Sequence, residues 1–188
     1  MLEEVGVPYD TKVLDYGTHM ATGAYLSVNP MGKVPALVHG EQVVTETAAI
    51  CAYLADAFPE ANLAPPHGRR GAYYRWLFFG AGPLEASVTM QAMGWAAPDS
   101  KMQKVVGFGT KERVADTLDQ ALSSTPYIAG HDFTAADVYL GSLVVWNLGF
   151  NLLESRPALV EYAARLTERE AYQRASALDD AAKPNWVA

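Results

Sequence analysis

The chain reads as a mixed α/β N-terminal part followed by an all-helical part, and three observations predict that order. Between residues 11 and 58 short extended runs alternate with helical ones. The proline- and glycine-rich stretch PEANLAPPHGRRG, 59–71, then interrupts both patterns. Beyond it strand-like alternation disappears, and each later apolar segment follows a helical period. The division predicted is 1–62, a linker at 63–71, and a helical domain at 72–188.

Within the first part, KVLDY (12–16) reads as a strand and ATGAYLSV (21–28) as a short irregular helix or loop. ALVHG and QVVT read as two strands joined at a tight HGE turn, with Gly40 supplying the permissive position. TETAAICAYLADAF turns helical, with Ile50, Leu54, Ala57 and Phe58 on one stripe, until Pro59 stops it. In the second part, AYYRWLFFGAGPLEASVTMQAM is a long apolar helix with a kink expected at Gly80, Gly82 and Pro83. TKERVADTLDQAL sets Val114, Leu118, Ala121 and Leu122 on one face. FTAADVYLGSLVVWNL opens with Thr134 three residues before Asp137, a capping box with Asp in place of Glu or Gln. Amphipathic segments around 158–166 and 171–181 complete the order. At the other end, Gly6 followed by Pro8 is a helix-stop signature with only five residues ahead of it.

Bulk properties narrow the function. The 188 residues are 50% apolar, and 14 basic against 21 acidic residues give a formal charge of -7. That balance argues against nucleic acid and against an anionic membrane surface as partners. The apolar run YLGSLVVWNLGFNLL is broken by Gly141, Ser142, Asn147 and Gly149 and falls short of the roughly 18 residues of a spanning helix. The acidic start MLEEVGV does not resemble a signal peptide, so a cytoplasmic location is expected. A single cysteine, Cys51, leaves no internal disulfide, and the four histidines show no paired ligand spacing, so no metal is expected.

Two motifs carry chemistry. In NPMGKVPAL, Pro35 stands just before a strand; it either opens an edge strand or forms a cis bond that turns the N–H and C=O of Val34 toward a cleft. An extended peptide-like ligand would pair with such groups as a strand does, and Lys33 adds a charge for a carboxylate. In TETAAI, a helix N-terminus offers unsatisfied N–H groups to a carboxylate. Thr47 adds a hydroxyl and Glu46 accepts from an ammonium group, a set suited to an α-amino acid head group; ordinary capping by Thr45 or Thr47 is the alternative. Cys51 falls on the apolar face of that helix and reads as core, not as a nucleophile. GFG at 107–109 follows no strand and reads as a flexible helix junction. The rings of YYRWLFF and Trp95 read mostly as core, and Glu85 as exposed.

The ordered set Asn-Pro-x-Gly-Lys-Val-Pro-x-Leu, a hairpin, then Glu-Thr-Ala-x-Ile-x-x-Tyr-Leu resembles the glutathione-binding domain of the cytosolic glutathione transferases, bacterial type. FTAADV and YYRWLFFGAGPLE are similar to the capping box and first helix of their helical domain. The resemblance implies a thioredoxin-like first domain and an all-α second domain. It implies glutathione as co-substrate, held by the backbone of Val34 beside a cis Pro35, by Glu46 and Thr47 at the γ-glutamyl head, and by Lys33. It further implies transfer to a small apolar electrophile and a homodimer, with a non-catalytic binding protein, or a glutathione-dependent reductase or isomerase on the same fold, as alternatives. The family's first strand and most of its first helix have no counterpart ahead of EE-x-GVPY, and with them goes the residue that stabilises the thiolate; Tyr9 and Tyr16 do not align with it. Because that strand lies between the counterparts of KVLDY and ALVHG, its lack predicts unpaired backbone groups and a working protein that begins upstream of Met1.

Overall fold

A computed structural model describes residues 1–15, 18–95 and 99–182. Helix α1, Leu2–Val5, ends where Gly6 takes a left-handed φ of 77° and its N–H bonds the Leu2 carbonyl at 2.9 Å, so the Gly-x-Pro stop operates as read. The stretch 12–15 forms no strand, against the expectation for KVLDY; Tyr16 lies outside the described residues. A strand exists through its partner's hydrogen bonds, and β1 pairs with β2 alone among the described residues, so the apolar pattern at Val13 and Leu14 has no ladder to join. The irregular segment resolves into a 3-10 turn, His19–Ala21, and helix α2, Gly23–Leu26, whose first turn is capped by the Thr22 hydroxyl.

Strands β1, Ala36–His39, and β2, Gln42–Thr45, form an antiparallel hairpin around Gly40, which sits at φ 60°. Helix α3, Thr47–Ala57, follows at once and buries Ile50, Cys51, Leu54 and Ala55. The expected stripe shifts slightly: Phe58 is only part-buried and stacks on the His39 ring with centroids 5.5 Å apart.

The long helix is interrupted where expected, but not by a break. Helix α4, Gly71–Phe79, passes through one π-helical turn, Gly80–Leu84, into α5, Glu85–Ala92. The wide turn absorbs Pro83, which has no N–H to give to a regular ladder. Gly80 is required there, since a Cβ would come within 2.7 Å of the Tyr139 ring. Helices α6, Lys111–Leu122, α7, Ala135–Gly149, α8, Pro157–Thr167, and α9, Glu170–Ala182, match the remaining apolar periods.

One buried cluster ties these elements together. Cys51 and Ala55 of α3 join Trp76 and Leu77 of α4, Leu118 of α6 and Leu140 of α7. Leu63, inside the stretch read as a linker, is buried in the same cluster, and its carbonyl accepts the Ala135 N–H at 2.7 Å. Arg70 donates to the Pro65 carbonyl and to Asp56, both at 2.7 Å, which fixes the stretch against α3. Helix α1 is tied to α9: Arg169 grips Glu4 with two hydrogen bonds of 2.7 Å, and Arg174 bonds Glu3 at 2.9 Å.

Candidate functional site

The two chemistry-bearing motifs meet because of hairpin register. Ala36 pairs with Thr45, so the residues just outside the ladder, Pro35 before β1 and Glu46 after β2, come side by side at one end of the hairpin. Val34 and Lys33 extend one lip of this edge and Thr47, opening α3, extends the other; all five residues are exposed. The register is set by Gly40 at the far turn, so a residue remote from the site aligns its halves.

The Val34 lip is braced from below. Tyr25 Oη donates to the Lys33 carbonyl at 2.5 Å and Asn29 Nδ2 to the same oxygen at 2.7 Å. Asn29 Oδ1 accepts the Met31 N–H at 3.0 Å, and Asn29 itself is buried. Gly32, at φ 60°, lets the loop close against the Met20 carbonyl, 3.2 Å from where a Cβ would stand. With the Lys33 carbonyl held inward, the next peptide is left outward: the Val34–Pro35 bond is cis, and the N–H and C=O of Val34 make no hydrogen bond among the described residues. Asn29 and Tyr25 were not singled out from sequence, although an Asn ahead of Pro-x-Gly is an Asx-turn signal that marks the first of them.

The opposite lip is strained. Glu46 is the N-cap residue of α3 with φ 68° and ψ 118°, a conformation that a non-glycine residue adopts at a cost of roughly 1–3 kcal/mol. Its carbonyl accepts the Ile50 N–H at 2.9 Å, but no side chain caps the helix. Capping by Thr45 or Thr47 is therefore not what this segment does. The first-turn N–H groups face outward with the positive end of the helix dipole behind them, which suits a carboxylate.

Behind this edge lies Tyr139 of α7, whose hydroxyl is pushed up to about 12, first by burial, then by the carboxylate of Glu85, by Cys51 and by Glu46. Burial likewise raises the Cys51 thiol to about 11, so Cys51 is a core group, as read. Along the free side of β1 a cavity of about 1060 Å3 runs past Val34, Pro35 and Val38 toward Tyr9, Val13 and Leu14. The Tyr9 hydroxyl is engaged elsewhere: it donates to Glu3 at 2.9 Å, and burial with that bond raises its pKa. A tyrosine so held is a poor stabiliser of an anion, and Tyr16 lies outside the described residues. Among the described residues no group of three or more His, Cys, Asp or Glu side chains could hold a metal ion, and no helix is long and apolar enough to cross a membrane.

Comparison with known proteins agrees with this geometry. Residues 1–57 match the family described as glutathione S-transferase, N-terminal domain, and residues 82–170 match glutathione S-transferase, C-terminal domain. The chain is 31% identical to glutathione S-transferase GstA of Escherichia coli O157:H7 over 80% of its own length and 76% of the relative's. It belongs to the glutathione S-transferase family. Among solved structures, the glutathione transferase from Methylococcus capsulatus superposes with a TM-score of 0.77 at 30% identity, covering 96% of this chain and 91% of that one. A Sulfitobacter glutathione transferase homologue, solved with bound glutathione, gives 0.72 at 26% identity over 95% and 89%. The fold is thus the transferase architecture, a thioredoxin-like N-terminal part with its small sheet followed by a helical part.

Proposed function

We propose that this chain is a glutathione transferase that holds glutathione along the hairpin edge and conjugates its sulfur to a small apolar electrophile. The observation that carries the reading is the juxtaposition, through register, of an outward, unpaired Val34 peptide with the uncapped N-terminus of α3. Glutathione is an extended tripeptide whose γ-glutamyl end carries an ammonium and a carboxylate on one carbon. The Val34 N–H and C=O would pair with its cysteinyl backbone, as a sheet edge pairs with an added strand. Glu46 would accept the ammonium, Thr47 and the first-turn N–H groups would take the carboxylate, and Lys33 would meet the glycine end. The bound glutathione of the Sulfitobacter relative supports the choice of ligand.

In this reading residues 1–62 hold glutathione and residues 72–188 shape the electrophile pocket, with 63–71 between them. The protein works in the cytoplasm as a homodimer. The exposed stripe of α4, where Phe78 is 73% exposed and Tyr74 stands one turn before it, supports a second copy as partner. The decisive experiment is calorimetric titration with glutathione together with conjugation of an aromatic halide, on this chain and on a form with a strand and half-helix added ahead of Met1. Saturable glutathione binding and turnover in either form are expected. Binding without turnover in both would leave a binding protein, and no binding in either would remove the site.

A further inference from the structure

Tyr139 of α7 is only 6% exposed, and its hydroxyl makes no hydrogen bond among the described residues. A buried hydroxyl without a partner is costly, so one that a fold retains calls for an explanation. Tyr73 lacks a partner too, but its hydroxyl is sealed inside the core. The Tyr139 hydroxyl is not among the sealed groups, so it opens onto a neighbouring space. What surrounds the ring decides which space that is.

Two elements fix the direction of the ring. On one side the π-helical turn presses against it: a Cβ on Gly80 would stand 2.7 Å from Cε1, the carbon next to the one that bears the hydroxyl. On the other side α7 packs along α3. The wide turn carries the chain from Gly80 to Glu85, whose N–H bonds the Gly80 carbonyl, so Glu85 stands one turn beyond the point where the ring is touched. Across the ring, Glu46 closes the hairpin as the N-cap residue of α3. Both residues are exposed, and neither carboxylate has a hydrogen bond or ion pair among the described residues. Burial first, and then the nearby Glu85, Cys51 and Glu46, raise the Tyr139 pKa to about 12, so at neutral pH the hydroxyl keeps its proton.

A neutral hydroxyl flanked by two free carboxylates suits a cation and repels an anion. An ammonium group brings three N–H donors and no acceptor, which matches three acceptors and no cation of the protein's own. We infer that Tyr139 and Glu85 complete, with Glu46, a three-acceptor pocket for the α-ammonium of the γ-glutamyl end of glutathione. The inference rests on the glutathione reading and adds to it two residues from the helical part, which thereby shares in holding the tripeptide. It also sets a substrate class: γ-glutamyl thiols with a free α-amino group. Acylating that nitrogen removes its charge and two of its donors, leaving Glu85 and the Tyr139 hydroxyl without partners.

The test is calorimetric titration of the parent, Tyr139→Phe and Glu85→Gln with glutathione and with glutaryl-cysteinylglycine, the same tripeptide lacking the α-amino group. The parent should prefer glutathione by about a hundredfold, and each variant should bind it about tenfold more weakly, the scale of a lost hydrogen bond to a charged group. The analogue should bind the variants no worse than the parent, so the preference narrows. Tyr139→Phe keeps the ring against Gly80, and its melting temperature should be unchanged. A purely structural role would weaken both ligands alike, and that result, or an unchanged preference in both variants, overturns the inference while leaving glutathione binding in place. A parent that binds neither ligand removes the glutathione reading itself, and the pocket with it.

Discussion

Two helix N-termini in this molecule solve the same physical problem in opposite ways. At the start of α7 the first-turn donors, buried as they are, each have a partner inside the protein. Asp137 accepts from the Thr134 N–H at 2.9 Å and the Thr134 hydroxyl at 3.0 Å, from the Ile128 N–H at 2.7 Å and from the Tyr162 hydroxyl at 2.9 Å, while the Thr134 hydroxyl takes the Ala136 N–H. At the start of α3 the N-cap residue is strained and no side chain turns back onto the first turn. Unsatisfied N–H groups are costly when buried and available when exposed. The first end is buried and serves stability; the second is exposed and is left for a ligand.

That contrast can be broken most forcefully at α7. Asp137→Ala orphans several buried donors together, and urea unfolding should show a loss of about 4 kcal/mol, near the top of the range for single substitutions. A loss below about 1 kcal/mol would mean that the buried cap is dispensable. At α3, Glu46→Ala should leave stability nearly unchanged and weaken glutathione binding by about 1.5–3 kcal/mol, the range for hydrogen bonds to a charged group. Unchanged affinity by calorimetry would remove Glu46 from the site.

Glu46→Gly sharpens the comparison further. Glycine tolerates the positive φ, so thermal unfolding should report a gain of about 1 kcal/mol while glutathione binding falls as in the alanine variant. Stability and ligand affinity moving in opposite directions at one residue is the mark of strain retained for binding; a stability loss would refute it.

The smallest effect concerns Glu3, a carboxylate with partners like those of Asp137 but near the surface. Hydrogen bonds from Arg174 and Tyr9 hold its pKa below the usual glutamate value. A lowered folded-state pKa means stability that is present above the unfolded value and lost as pH falls through the folded one. Protection of the α1 amides, relative to the intrinsic exchange rate at each pH, should therefore fall below about pH 4, the ordinary carboxylate range, and Glu3→Gln should show that lowered protection already at neutral pH. A variant that keeps the parent's acid-side loss would place the pH dependence elsewhere.

Much of this contrast can be read from the residues alone. Thr134 and Asp137 stand three apart, so their capping box is a local pattern, and it forms as read. The partners that make it a hub, Ile128 and Tyr162, arrive from other segments and carry no local mark. Likewise Lys33, Val34, Pro35, Glu46 and Thr47 stand out as two motifs, but the brace under the first, Tyr25 and Asn29, and the backbone strain in the second depend on how the loop packs. KVLDY shows the limit most clearly. Its alternation is that of a strand, yet a strand needs a neighbour, and 12–15 has none among the described residues.

The sequence by itself determined what depends on near neighbours along the chain: the apolar periods that become α3 to α9, the Gly6 and Gly40 turns, the Thr134 box, and the order of motifs that names the family. Only the tertiary structure decided what depends on segments meeting. It set Pro35 beside Glu46 through strand register and left α3 uncapped where α7 is sealed. The physical reason is that local rules specify each element's own hydrogen bonds and apolar face, whereas burial and exposure are properties of the assembled whole.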